Sequence, residues 1–167
     1  MMMRKRARSL SESSGQSYED VIANAINDCE QYGVQWEHFE KGTGRERRAQ
    51  RVEAFRTIKA LVVLPNISNW YVGEAINPAR RFHEDPGPHC LKYHVLYPLW
   101  IGTNMGKHER NLLRVLREGN IAQGKCDNLG PGGEHVSANS VCFMYCCIRR
   151  TTADESSVAM FRAQFAR

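Results

Sequence analysis

The strongest structural signals in the chain lie in residues 60–82, which read ALVVLPNISNWYVGEAINPARRF. The run ALVVL, residues 60–64, is short and apolar, as is typical of a strand. Residues 65–69 contain the Pro, Asn and Ser residues of a turn, and residues 70–72 form a second strand that ends at Gly73. The two apolar runs are close enough to pair, so this stretch predicts a β-hairpin.

A short basic helix is predicted directly after this hairpin. Asn77 and Pro78 are the residue types that favour an N-cap and the first helical position. The helix carries Arg80 and Arg81, and the Pro- and Gly-containing residues 85–88 end it.

Two more strands and an amphipathic helix are predicted downstream. The aromatic-rich segment 92–101 favours a strand that is interrupted or ended near Pro98, and residues 136–148 favour another strand. Between them, residues 105–118 place three leucines on one side of a helix that Gly119 closes.

Further helices are predicted on both sides of this region. Ser17 and Asp20 have the spacing of a capping box, which indicates the start of a first helix. A second helix is expected to begin at Thr43, and a last one at Thr152. Residues 124–133 form a Gly-rich loop.

These elements predict one compact domain of the α/β (α+β) class, with a small, mainly antiparallel central sheet flanked by helices. The chain has 167 residues, of which 42% are hydrophobic, enough for one core. We expect a disordered basic tail over residues 1–16, a helical region over 17–59 that packs on the core, and the core itself over 60–167 with its C-terminal helix.

The composition favours an intracellular protein. No apolar run approaches the roughly 20 residues that span a bilayer, and no apolar stretch follows the basic start, so no secretory signal is expected. The six cysteines include no C-x-x-C pair, and two of them, Cys142 and Cys146, fall in an apolar run that favours buried free thiols in a reducing compartment.

Basic clusters suggest contact with phosphate. The formal net charge is +5, which permits attraction to a polyanion. Residues 4–8, RKRAR, are typical of a nuclear import signal or a phosphate-binding arm, and equally of a solvated tail. Arg45, Arg48 and Arg51 lie mostly off the apolar stripe of the second helix, where such residues bind a nucleic-acid backbone or simply face solvent. Arg80 is a further candidate.

An ordered set of polar residues in the predicted core resembles the GIY-YIG nuclease superfamily. Tyr71-Val72-Gly73, followed by the helix with Arg81, is similar to the second half of that family's signature. Glu109, in KHERNLL, resembles the family's glutamate on a later helix. Asn128, before the Gly-rich loop, resembles its downstream asparagine, and Asn120 is the alternative. The resemblance covers residues 60–148, about half of the chain.

The resemblance implies a metal-dependent endonuclease that hydrolyses phosphodiester bonds. Arg81 would pair its guanidinium with phosphate oxygens. Glu109 would bind one Mg²⁺ or Mn²⁺ ion through hard oxygen ligands. Tyr71 would hydrogen-bond the attacking water, and Asn128 would orient a neighbouring group. The expected partner is nucleic acid, with DNA favoured over RNA and no membrane.

One family feature is missing from its expected place. The family's first motif supplies a second tyrosine, but the corresponding residues 62–64 contain none. Residues 33–36, GVQW, lie too far upstream to replace it. His83 and His108 are candidate substitutes, since histidine serves as a general base near neutral pH.

Other interpretations remain open at this point. Taken singly, Tyr71, Arg81, Glu109 and Asn128 have ordinary roles as a core, surface, helix-start and turn residue, and only their order argues for a site. The chain could be an inactive nucleic-acid-binding module of the same fold, or a protein-interaction domain. A zinc site is a further alternative, since four potential ligands lie close together in sequence: His83, His89, Cys90 and His94.

Overall fold

The computed structural model describes residues 17–28, 33–39, 47–84, 87–128 and 139–151. The predicted tail, the residues at Thr43 and Arg45, most of the Gly-rich loop and the helix from Thr152 lie outside this part of the chain. The described helices are α1 (Tyr18–Asp28), α2 (Arg47–Val62), α3 (Pro78–His83) and α4 (Met105–Glu118). The strands are β1 (Ile67–Ala75), β2 (Val95–Gly102) and β3 (Cys142–Arg150).

The three strands form one antiparallel sheet in the order β1-β3-β2. Strand β3 therefore lies in the middle, between β1 and β2. In the described part of the chain, only isolated bridges pair the outer sides of β1 and β2. Helices pack on both faces of this sheet, which confirms a small α+β fold. Among the described residues, no helix is both long enough and apolar enough to cross a membrane.

The predicted hairpin between residues 60–64 and 70–72 is wrong. The first of these runs is the last turn of α2 and the turn after it, and β1 pairs instead with β3. Ile58 and Val62 are both fully buried and lie four residues apart, as one face of a helix requires, whereas Val63 is 56% exposed. A five-residue apolar run does not by itself distinguish a buried helix turn from a strand.

Strand β3 separates two apolar layers. Met144, Cys146 and Ile148 face α2 and α4, while Tyr145 and Cys147 face the opposite side, where α3 packs. Because both faces are covered, every residue from 142 to 148 is buried. This explains why the segment is a continuous apolar run without an alternating pattern.

Several local predictions are confirmed. The Ser17 hydroxyl accepts a hydrogen bond from Asp20 N at 3.2 Å, and the Asp20 carboxylate accepts one from Ser17 N at 3.3 Å, so the capping box is formed. The Asn77 side chain accepts from Arg80 N at 3.1 Å and caps α3, with Pro78 at its first position. Strand β2 continues through Pro98, with a register irregularity between Pro98 and Trp100.

Candidate active site

Tyr71 and Gly73 lie on the face of β1 that is opposite to α2 and α4. Gly73 pairs with Tyr145 on β3. A Cβ atom on Gly73 would lie 2.5 Å from Tyr145 Oη and 2.8 Å from Tyr71 Cε1. No side chain fits in this space, so glycine is required here to allow two tyrosine rings to approach each other across the strand.

Arg81 projects from α3 into the same region. The N-terminus of α3 is fixed by Asn77, which places Arg81 about one turn into the helix. Its guanidinium donates a hydrogen bond to the Tyr145 hydroxyl, and its positive charge acts to lower the pKa of Tyr71. Arg81 and Tyr71 are both only partly buried, so a ligand can contact them from outside.

Glu109 approaches the same phenol from α4. After burial, its negative charge is the largest influence on Tyr71 and raises the pKa of that group. The Glu109 side chain is buried, with 1% of its surface exposed. Carboxylates are rarely buried without a structural or functional reason, because removing their charge from water is costly. Tyr71 on β1 thus feels the charges of two other candidate residues, Arg81 on α3 and Glu109 on α4.

Two further residues belong to this cluster: Tyr145, which the sequence did not indicate, and His89, which it indicated only as a potential zinc ligand. His89 Nε2 lies 2.8 Å from the Tyr145 hydroxyl, and the ring centroids of His89 and Tyr71 are 5.0 Å apart. Whether His89 or the Tyr145 hydroxyl donates in this bond depends on the tautomer of His89. Tyr145 is fully buried. It therefore holds Arg81 and His89 in place from behind, while Tyr71 faces outward.

The phenols in this cluster resist ionisation. Burial, followed by the charge of Glu109, raises the pKa of Tyr71 from 10 to about 12, although Arg81 opposes the shift. Burial also raises the pKa of Tyr145 and of Tyr93 well above the ordinary value. In the protein alone these tyrosines are neutral near pH 7, so Tyr71 acts there as a hydrogen-bonding hydroxyl rather than as a phenolate.

Asn128 is placed differently from the other candidates. Its Oδ1 accepts from Val72 N at 2.9 Å, and its Nδ2 donates to Val72 O at 2.8 Å. These bonds pair the outer edge of β1, where no other strand lies in the described part of the fold. The alternative residue, Asn120, lies in an exposed turn after α4 with a φ of 50°. Asn128 thus holds the backbone of Val72, next to Tyr71.

Replacing Asn128 with alanine is expected to lower the free energy of unfolding by about 2–4 kcal/mol, because two buried backbone groups lose their only side-chain partner. Urea denaturation measures this loss. Asn69→Ala is the matched control, since Asn69 bonds a part-buried side chain, Asp127, and should cost less than about 1 kcal/mol. Equal losses in the two variants would contradict the structural role given to Asn128.

Of the two candidate substitutes for the missing tyrosine, His108 lies on the α2/α4 side of the sheet, whereas His83 lies on α3, the helix that carries Arg81. The ring centroids of His83 and Phe82 are 4.9 Å apart. Those of His108 and Trp100 are 4.8 Å apart, on the α2/α4 side of the sheet. The histidine that contacts the tyrosines is His89. No local signal in the sequence distinguished it from its neighbours, because its partner Tyr145 is 56 residues away.

The remaining candidates are the arginines proposed to bind nucleic acid and the residues proposed to bind zinc. Arg48, Arg51 and Arg80 are exposed, the first two on α2 and the third on α3. The proposed zinc ligands are engaged separately, since His89 binds Tyr145 and His94 Nδ1 accepts from Arg150 N at 2.8 Å. Within the described ranges, no group of three or more His, Cys, Asp or Glu side chains is arranged to hold a metal ion.

Comparisons of the chain with protein-family models, curated proteins and solved structures give no match.

Proposed function

We propose that this chain is a metal-dependent endonuclease that hydrolyses phosphodiester bonds by chemistry similar to that of GIY-YIG nucleases. The observation that carries the proposal is that a partly exposed tyrosine, Tyr71, lies within the electrostatic influence of the Arg81 guanidinium and of the buried Glu109 carboxylate. These groups come from β1, α3 and α4, in the sequence order that the resemblance implies.

The position of Tyr145 supports the same proposal. The resembling family takes its first tyrosine from a strand that precedes Tyr71-Val72-Gly73, and here that stretch is helical. Strand β3 lies beside β1 instead, and it places Tyr145 opposite Gly73. We infer that β3 replaces the family's first strand, so that the second tyrosine comes from a strand that follows Tyr71 in the sequence.

Each group has a role that follows from its chemistry. Arg81 carries a permanent charge on a planar fork that matches two phosphate oxygens. Tyr71 hydrogen-bonds the attacking water beside the phosphate. Tyr145 and His89 are positioning residues, because they hold Arg81 and the ring of Tyr71 and do not face outward.

Glu109 is the residue that would hold Mg²⁺ or Mn²⁺. A carboxylate suits these hard cations, which are often bound through one or two carboxylates and retain several waters. The charge of Glu109 acts on Tyr71, so an ion bound to this carboxylate would lie near the proposed water-binding hydroxyl, although the 1% exposure of Glu109 requires that the side chain become accessible to bind it. Such an ion supplies charge stabilisation to the phosphate and the leaving oxygen.

The burial of Tyr145 and Glu109 also favours a second function, that of an inactive module which binds nucleic acid without cleaving it. In this conformation a nucleic acid cannot contact either side chain directly. An inactive module needs no such contact, because it only binds. Retained salt-dependent DNA binding without any cleavage would identify that second function.

Plasmid nicking tests the proposal through two adjacent arginines. Arg81→Lys keeps the charge but loses the planar fork and the bond to Tyr145, so cleavage of supercoiled DNA in Mg²⁺ should slow by about 100-fold or more. Arg80→Lys is the matched control on the same helix. Arg80 is exposed, and lysine keeps its positive charge for any phosphate contact, so this variant should cleave at about the parent rate. Equal activity of the two variants would refute the role of Arg81.

A further inference from the structure

A cavity of about 300 Å³ lies between α2 and α4, on the sheet face opposite to Tyr71. Phe55 of α2 and Leu112 and Val115 of α4 form its walls, and Trp100 and Met144 from the sheet line its inner end. Val115 and Val52 stand at its mouth, 42% and 43% exposed. Exposed apolar side chains around a concave apolar surface are typical of a binding site.

The mouth of this cavity is basic. Arg48 and Arg51 line it, and both are exposed. The exposed surface of the two helices carries more basic side chains, namely Lys59, Lys107, Arg110, Arg114 and Arg117. The partly or fully exposed acids on α2 and α4 are Glu53 and Glu118, which pair with Arg56 and Arg114. This charge fits a ligand with an apolar body and an anionic backbone.

The inner end of the cavity contains an unsatisfied donor. Trp100 is 1% exposed, and its Nε1–H has no hydrogen-bond partner among the described residues. The indole nitrogen can only donate, and a buried donor without an acceptor destabilises the protein. Because this nitrogen is itself covered, a ligand in the cavity reaches it only if neighbouring side chains move, so the donor does not by itself select the ligand.

We propose that this cavity holds one unpaired nucleobase of the nucleic-acid substrate, with the flanking phosphates on Arg48 and Arg51. A base combines apolar faces with acceptor atoms on its edge, and one flat ring suits a single cavity of this size. An acidic amphipathic helix is the less suitable occupant. It needs a groove for anchors spread over two turns, whereas this site is a single cavity of about 300 Å³.

The cavity is close to the candidate active site. His108 lines the cavity and Glu109 follows it on α4, so the two sites lie on adjoining sides of one helix. A helix with its side chains is about 10–12 Å across, and a nucleic-acid strand advances about 3.4 Å per nucleotide. The base in the cavity therefore belongs to a nucleotide a few steps from the cleaved bond.

The inference deepens the proposed nuclease function and rests on it, because it names the substrate class. A base inside a duplex is paired and stacked, and must leave the stack before a protein pocket can hold it. The favoured substrates are thus single strands, flaps and branched nucleic acids rather than intact duplexes.

Binding measured in EDTA, with the full chain, tests the cavity separately from cleavage. The probes are a fluorescent single-stranded oligothymidylate and an abasic oligonucleotide of the same length. The first should bind about 5- to 150-fold more tightly, the usual contribution of one stacked base. Equal affinities for the two oligonucleotides would overturn the proposal. So would binding of an acidic amphipathic peptide in the cavity by a protein that shows no preference for the intact oligonucleotide.

Two matched variants localise the effect. Val115→Glu places a charge at the cavity mouth and should remove the preference for the intact oligonucleotide. Val63→Glu adds the same charge at an exposed position that does not line the cavity, and should keep the preference. Should Val115→Glu not fold, Val52→Glu on the opposite wall replaces it. The assignment would be overturned if the Val115→Glu protein kept its preference for the intact oligonucleotide, or if both variants lost it equally.

The outcomes also separate this inference from the nuclease proposal. A base preference that the cavity variant removes, in a protein that never cleaves plasmid, would refute the nuclease function and leave the base site standing. Cleavage of plasmid by a protein without a base preference would support the nuclease function and refute the base site.

Discussion

Tyr71→Phe is expected to slow Mg²⁺-dependent cleavage by about 100-fold, because the attacking water loses the hydroxyl that positions it by a hydrogen bond. The substitution removes only the hydroxyl and keeps the ring. The centroid of this ring lies 5.0 Å from that of His89 and 6.4 Å from that of Tyr145. The fold and the DNA affinity should change little. Single-turnover cleavage and thermal unfolding measure the two effects on the same samples.

Tyr93→Phe is the control for this prediction. Tyr93 belongs to the same aromatic cluster, but its hydroxyl donates to Asp127 at 2.9 Å. Loss of that hydroxyl should affect stability by about 1 kcal/mol and leave the cleavage rate nearly unchanged. The outward-facing role of Tyr71 would be contradicted by comparable rates for Tyr71→Phe and the parent, or by comparable rate losses in the two variants.

Gly73→Ala is expected to damage both stability and activity. The new methyl group would overlap the Tyr145 hydroxyl and the Tyr71 ring, so one ring must move. Overpacking of this kind costs about 1–3 kcal/mol, and displacement of the tyrosines should slow cleavage by about 100-fold. Chemical denaturation and single-turnover kinetics measure the two losses.

Gly102→Ala gives the comparison that this prediction needs. Gly102 is also a buried strand glycine, but the nearest atom to its added Cβ would be Met105 Cε at 3.5 Å, an ordinary contact. This variant should retain activity. If Gly73→Ala behaved like Gly102→Ala, the close approach of Tyr71 and Tyr145 would not be essential for the site.

Local structure could be predicted from the sequence because its causes are local. The capping box at Ser17, the Asn77 cap of α3 and the bounds of α4 each depend on residues within a few positions of one another. The candidate residues Tyr71, Arg81 and Glu109 were selected from the order of short motifs, and the structure brings the last two into electrostatic range of Tyr71.

Strand pairing could not be predicted in the same way. The partner of β1 is separated from it by more than 60 residues, and the apolar run 60–64 offered a nearer but incorrect partner. Tyr145 lies within a run that is buried on both faces, where a tyrosine looks like an ordinary core residue. Only the register of β3 against β1 shows that Tyr145 lies opposite Gly73, and His89 becomes part of the cluster through Tyr145.

The most direct test of the nuclease site is metal-dependent nicking of supercoiled plasmid by the parent protein, Glu109→Gln and Glu118→Gln. Glu118 lies on the same helix as Glu109 but is exposed and pairs with Arg114, so the two variants make the same chemical change in different places. We predict that the parent and Glu118→Gln nick DNA in Mg²⁺ and not in EDTA, and that Glu109→Gln binds DNA but does not cleave it. Cleavage by Glu109→Gln at the parent rate, or cleavage that continues in EDTA, would contradict the proposed site.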